Sequence, residues 1–160
     1  MSARKGLRMS RQDFTVTIRL MENRDTAPAA ELEKRVFSQP WSEKAFRDTV
    51  DNDDYIFIVA EHDGRIVGYI GCIVSLDGAD ITNIAVEPDY RRLGIANEMM
   101  KQVFLLLARR GVGTLYLEVR QSNVGAQRLY ERNGFEKIGL RKNFYQKPSE
   151  DALLMAKKLQ

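Results

Sequence analysis

Residues 82–110 constrain the fold more than any other stretch. Thr82-Asn83-Ile84-Ala85-Val86 reads as a strand and Glu87-Pro88-Asp89-Tyr90 as a short turn. Arg91-Arg92-Leu93-Gly94-Ile95-Ala96 then opens an amphipathic helix that runs from about Gly94 to Arg110 and stops at Gly111. Met99, Val103, Leu106 and Leu107 form its apolar stripe, with Met100 and Phe104 beside them, so the helix has one face to bury. The same arrangement can hold an anion. The first N–H groups of a helix lack internal partners, and the macrodipole adds about half a positive charge there. Gly94 and Ala96 keep large side chains off that backbone, and Arg92 adds charge at its mouth, so a diphosphate fits the pattern. An ordinary helix start that contains glycine and arginine fits it too. Two familiar phosphate loops are excluded: there is no Gly-Lys-Ser/Thr ending and no three-glycine dinucleotide fingerprint.

The flanking segments set the fold class. Phe14 to Leu20 alternates as a first strand; Asp25 can cap a helix through about Phe37, and Ser42 a second short one carrying Phe46 and Val50. Tyr55 to Glu61 and Ile66 to Ser75 flank the hairpin signal His62-Asp63-Gly64-Arg65, and the turn Leu76-Asp77-Gly78-Ala79 leads into Asp80 to Val86. After the long helix, Thr114 to Val119 is a strand and Asn123 to Arg132 a helix ended by Gly134. Phe135 to Leu140 and Ala152 to Met155 read as the last strands. The expected class is α+β: a mixed, largely antiparallel central sheet of about seven strands, with four helices on its faces.

A chain of 160 residues without repeats or linkers is expected to form one domain, spanning residues 14–160. Residues 1–13 carry Arg4, Lys5, Arg8 and Arg11 against Asp13, which accounts for the whole net charge of +3, and read as a basic, disordered tail. The remainder is electrically balanced, so direct nucleic-acid binding is not expected. A single cysteine and a single histidine exclude a disulfide framework and any multi-histidine metal site, and no metal is expected. No segment has the apolar length of a membrane span or a signal peptide, which points to a cytoplasmic protein, monomeric or weakly dimeric.

Arg-x-x-Gly-x-Ala between a strand and a long helix resembles the acetyl-CoA loop of the GNAT N-acetyltransferase superfamily, and the resemblance extends over about residues 16–159. It is closer to the protein N-terminal acetyltransferases, and among them to the bacterial ribosomal-protein-alanine enzymes. The residues that carry it are Pro40-Trp41-Ser42-Glu43, Asn83-Ile84-Ala85-Val86, Leu117-Glu118-Val119-Arg120, Ser122-Asn123, Leu129-Tyr130-Glu131, Gly134-Phe135 and Glu150-Asp151-Ala152. The resemblance implies that Ile84, Ala85 and Val86 pair with the pantetheine amides. It implies that Arg92, Leu93, Gly94, Ile95, Ala96 and Asn97 hold the diphosphate of acetyl-CoA, and that Asn123 bonds the pantetheine arm. It implies Glu118 as general base, Tyr130 as general acid, and Trp41 and Tyr145 along the acceptor path. The implied acceptor is the N-terminal α-amine of an alanine-starting ribosomal protein; a small-molecule amine or a lysine is the alternative. A non-enzymatic ribosome- or RNA-binding module, supported by the basic tail, is a third.

Read by themselves, the residues leave choices open. Acetyl transfer from a thioester to an amine needs a base, N–H donors for the oxyanion, and an acid for the thiolate. Glu118 is the only carboxylate in the apolar strand Thr114-Leu115-Tyr116-Leu117-Glu118-Val119, and is either that base or an ion-pair partner of Arg120. Tyr130 is either an acid or a core residue, and Asn123 can also cap its helix. Cys72 lies in an apolar strand with nothing to activate it, and His62 is expected to face solvent from a turn. An α-amine is neutral about one time in ten at pH 7, a lysine about one in a few thousand, which favours an N-terminal acceptor. The family usually has two tyrosines where Phe144-Tyr145 stands here, and glycine where Ala96 stands.

Overall fold

A computed structural model describes residues 7–11 and 14–160, the former by backbone alone. The elements are β1 (Leu7–Arg11), β2 (Phe14–Leu20), α1 (Thr26–Val36), α2 (Glu43–Val50), β3 (Tyr55–His62), β4 (Arg65–Ser75) and β5 (Gly78–Val86). They continue with α3 (Ile95–Arg109), β6 (Thr114–Arg120), α4 (Val124–Arg132), β7 (Glu136–Tyr145) and β8 (Glu150–Lys158). Among the described residues the strands form one sheet in the order β1-β2-β3-β4-β5-β6-β8-β7. The mixed, largely antiparallel sheet between helices is the expected class.

Three differences have local causes. Leu7–Arg11, expected in an unpaired tail, pairs antiparallel with β2, Leu7 opposite Ile18 and Arg11 opposite Phe14. The backbone groups along the outer edge of β2 thereby gain ladder partners, and the sheet begins before residue 14. The rest of the expected tail lies outside the described residues. β7 and β8 are longer than expected because their mutual ladder, from Glu136↔Ala156 to Tyr145↔Glu150, carries them through charged positions that hydrophobic patterning does not mark. Asp25 precedes α1 but its side chain does not cap it. Its carboxylate is engaged by Arg19, Nη1 to Oδ2 at 2.7 Å and Nη2 to Oδ1 at 2.9 Å, a bidentate pair inside the fold.

Other local expectations hold. Ser42 Oγ accepts from Ala45 N at 3.1 Å as the cap of α2. The β3–β4 hairpin closes over Asp63 and Gly64, both at positive φ, the conformation a two-residue turn needs to match the twist of its strands.

The sheet separates two cores. On one side α3 packs Met99, Met100, Val103 and Leu107 against Ile58, Ile70, Leu115 and Leu117, with Tyr130 and Phe135 joining from the α4 region. On the other, α1 and α2 bring Ala29, Leu32 and Phe46 onto Phe57, Val59 and Tyr69. Gly71 lets this second core close: a Cβ there would lie 2.2 Å from the Phe57 ring.

β5 serves both sides by means of a bulge. Its register with β4 passes from Gly71↔Asn83 to Cys72↔Ile81, leaving Thr82 as an extra residue. Before it, Ala79 and Ile81 face α3; after it, Ile84 and Val86 do, and Ala85 faces α1 and α2. Simple alternation along 79–86 would place these residues on the wrong faces.

Candidate active site

The bulge lies where β5 parts from β6. These two strands are the only parallel neighbours among the described residues, because α3 carries the chain between them. Their register covers only Ala79↔Leu115 and Asp80↔Tyr116. From Ile81 onward β5 stays with β4, Ile84 opposite Ile70, Ala85 opposite Tyr69 and Val86 opposite Gly68. Alternate N–H and C=O groups of Ile84–Val86 therefore point into a cleft.

The cleft leads to the start of α3. Gly94 occupies its N-cap position at φ +85° and ψ 9°, and no side chain caps the helix. Arg92, two residues earlier, is also left-handed at φ +64°, an arrangement that costs a non-glycine residue about 1–2 kcal/mol. Arg91 braces the turn through Nε to Val86 O at 3.1 Å. Ile95 is buried and Leu93 and Ala96 pack on the α3 core, so this loop offers backbone rather than side chains to a ligand. Asn97 has a structural partner: its Oδ1 accepts from Asn133 Nδ2 at 2.8 Å, tying α3 to the end of α4. An uncapped helix start beside an arginine, at the end of a cleft lined by strand amides, suits an elongated ligand bearing a diphosphate.

Glu118 sits on β6 just past the point of separation, on the face opposite α3. Its expected alternative partner, Arg120, turns elsewhere: Nη1 lies 3.3 Å from Glu150 Oε1 and donates to Pro148 O, and Nη2 donates to Gln146 O. The guanidinium also lies 4.4 Å from the centroid of Tyr145. Glu118 instead meets Arg141 at 4.0 Å. Burial and then Asp80 raise its carboxyl above the ordinary carboxylate range, and Arg141 opposes them. Asp80 and Arg141 were not singled out in the sequence; a lone acid two residues past a turn gave no signal, since the turn ends at Ser75↔Gly78 and puts Asp80 inside the strand.

Tyr130 is buried on the α3 side, its ring 5.7 Å from Phe135, and burial followed by Tyr145 raises its phenol above the ordinary value. Tyr145, pushed up to about 12 mainly by burial, feels Glu118 as well, and so stands electrostatically between the two candidate proton carriers. Asn123 caps α4, its Oδ1 accepting from Ala126 N at 3.1 Å. Trp41 packs on Phe46 and Phe57, at 5.4 and 5.7 Å between ring centres. Its backbone N–H donates to Glu33 Oε2 at 2.9 Å. Buried Glu33 also accepts from the Tyr69 phenol and from Asn83 Nδ2, which pins the Trp41 loop to the sheet beside the cleft. Glu33 was likewise unmarked in the sequence, being one charge among several on a helix.

Cys72 is buried and its thiol is pushed up to about 12, chiefly by burial, which makes it a poor acetyl carrier. His62 does not face solvent as expected. Its Nδ1 lies 2.8 Å from Thr15 O and its ring 4.3 Å from that of Phe14, because the turn folds back over β2.

The acetyltransferase (GNAT) family model matches residues 26–135. The chain is 38% identical over 142 residues to the ribosomal protein bS18-alanine N-acetyltransferase of Escherichia coli K12, covering 88% of this chain and 95% of that relative. It is 36% identical over 129 residues to the enzyme of the same name from Haemophilus influenzae, covering 79% and 87%. The crystal structure of the ribosomal-protein-S18-alanine N-acetyltransferase from Escherichia coli superposes with a TM-score of 0.82 at 37% identity, over 91% of this chain and 94% of that one. A family model over most of the chain, together with these relatives, shows that the chain belongs to the GNAT acetyltransferase family.

Proposed function

We propose that the protein moves an acetyl group from acetyl-CoA to the N-terminal α-amine of a ribosomal protein beginning with alanine, by direct transfer. The observation that carries this is the uncapped, glycine-started α3 at the end of the cleft, with Glu118 on the adjoining strand. The names of the relatives support the acceptor.

Acetyl-CoA supplies the thioester and a thiolate leaving group. The amides of Ile95, Ala96 and Asn97, with Arg92, hold the diphosphate, and Ile84–Val86 align the arm through strand-like bonds. The side-chain NH₂ of Asn123 bonds that arm while its Oδ1 caps α4. Glu118 takes the proton of the incoming α-ammonium, directly or through water, and its raised proton affinity brings it closer to that of an amine. Tyr130 returns a proton to the departing sulfur. Trp41 and Tyr145 border the acceptor path, Tyr145 held by Arg120. The donor fits an intracellular, cytoplasmic setting and needs no metal.

The test is a panel of three acceptors with acetyl-CoA: an alanine-starting peptide containing lysine, its N-terminally blocked copy, and a polyamine. Acetylation confined to the free α-amine is expected. Turnover of the blocked peptide at lysine, or of the polyamine in preference to the free peptide, overturns the proposal.

A further inference from the structure

The face of the sheet that carries Glu118 has a pocket of about 150 Å³ lined by Asp80, Tyr116, Glu118, Ile138, Arg141 and Leu154. It holds two carboxylates and one guanidinium. Asp80 and Tyr116 are the last residues at which β5 and β6 remain paired, and Glu118 is the next residue of β6 on the same face. The two acids thus flank the apex of the cleft from neighbouring strands. β7 contributes Arg141 and, beyond it, the Tyr145 phenol; β8 places apolar Leu154 opposite Glu118. Arg120, the other cation on this face of β6, is occupied by Glu150. Arg141 is more than half exposed and 4.0 Å from Glu118, so it tempers the pair without neutralising both members.

We propose that Asp80 is a positioning residue for proton transfer: with Arg141 it sets the charge balance around Glu118, so that the acceptor's ammonium is received by a carboxylate pair rather than by one acid. This rests on Glu118 being the base. Two negative charges and one positive leave the pocket anionic, which draws in a protonated amine. The charge of Asp80 disfavours ionised Glu118 and makes it a stronger base; burial raises the proton affinity of both acids, and Arg141 lowers it for both.

The experiment follows the ¹³C signal of the Glu118 carboxyl against pH in the full chain without donor or acceptor, in the parent, Asp80→Asn and Arg141→Gln. Asp80→Asn is expected to move the Glu118 midpoint down by ~0.5–1 pH unit, and Arg141→Gln to move it up. The acid limb of kcat/KM for the alanine-starting peptide is expected to follow in both directions, with KM for the peptide raised several-fold in Asp80→Asn. Opposite shifts from two variants are not produced by general loosening, and Arg141, on the surface, is replaceable without loss of the fold. An unmoved Glu118 midpoint in Asp80→Asn, or an upward one, overturns the coupling. Midpoints that move while the acid limb stays in place overturn the role of Glu118 as base, and the use proposed for the pair with it.

Discussion

Replacing Gly94 by alanine tests the seat of the donor. Gly94 holds φ +85°, where an L-residue pays about 1–2 kcal/mol, and Arg92 at φ +64° already carries the same kind of strain two residues away. The turn therefore has no relaxed neighbour to share the load. If the backbone keeps its course, the penalty falls on stability: at roughly 2–4 °C per kcal/mol for a chain of this size, the thermal midpoint drops ~2–8 °C. If the backbone yields, the amides of Ile95, Ala96 and Asn97 turn away from the ligand, and the same energy appears as a ~5–30-fold weaker Kd for acetyl-CoA. Scanning calorimetry and isothermal titration in one buffer measure both halves, and their sum is expected to reach at least ~1 kcal/mol. Gly94→Asn is expected to lose less, because asparagine enters the left-handed region more readily. A Gly94→Ala protein with both midpoint and affinity unchanged would refute the assignment of the loop.

Glu118→Gln is expected to lower kcat by ~10²–10⁴ with acetyl-CoA affinity unchanged; full activity at neutral pH removes Glu118 from its role. Because the folded carboxyl is held above its ordinary value, its contribution to stability is complete below the unfolded-state value and lost as pH rises through the folded one. The same variant should therefore melt slightly higher than the parent at pH 7–8 and show no such gain below pH 4. Asp25→Asn leaves Arg19 without its bidentate partner, both side chains being at most 6% exposed. Glu61 remains 3.4 Å from Arg19 Nε, so the charge keeps a partner and the cost in urea unfolding should be about 1–3 kcal/mol; a loss under ~0.5 kcal/mol would show the pair to be dispensable.

What could be read from the residues alone was whatever neighbours in sequence decide. Ser42 and Asn123 each cap a helix by accepting from the backbone N–H three residues on, Asp63-Gly64 closes a two-residue turn, and the stripe of α3 is fixed by its own spacing. Contacts between distant segments were not legible. Arg120 has Glu118 two positions away on its own strand, yet it takes Glu150, because the β6–β8 register sets Arg120 opposite Ala152, close to the β7–β8 turn. Asp25 offers the composition of a cap but is claimed by Arg19 from the neighbouring strand. The charged run Arg141-Lys142-Asn143 hid the second half of β7, whose pairing comes from backbone and not from apolar periodicity. The resemblance to known acetyltransferases marked Glu118 and Tyr130, but Asp80, Arg141 and Glu33 surround them only once the sheet has closed.

The surplus residue at Thr82 sets the phase of the strand that follows it. Flatten the bulge while keeping Thr82 in the ladder, and everything from Asn83 to Val86 rotates half a turn: Asn83 leaves Glu33, Ala85 enters the space of Ile84, and two aliphatic side chains are driven into the polar hub beneath Trp41. Deleting Thr82 outright does the reverse: Ile81 followed directly by Asn83 restores unbroken pairing with β4 and leaves each of these side chains on the side it already occupies.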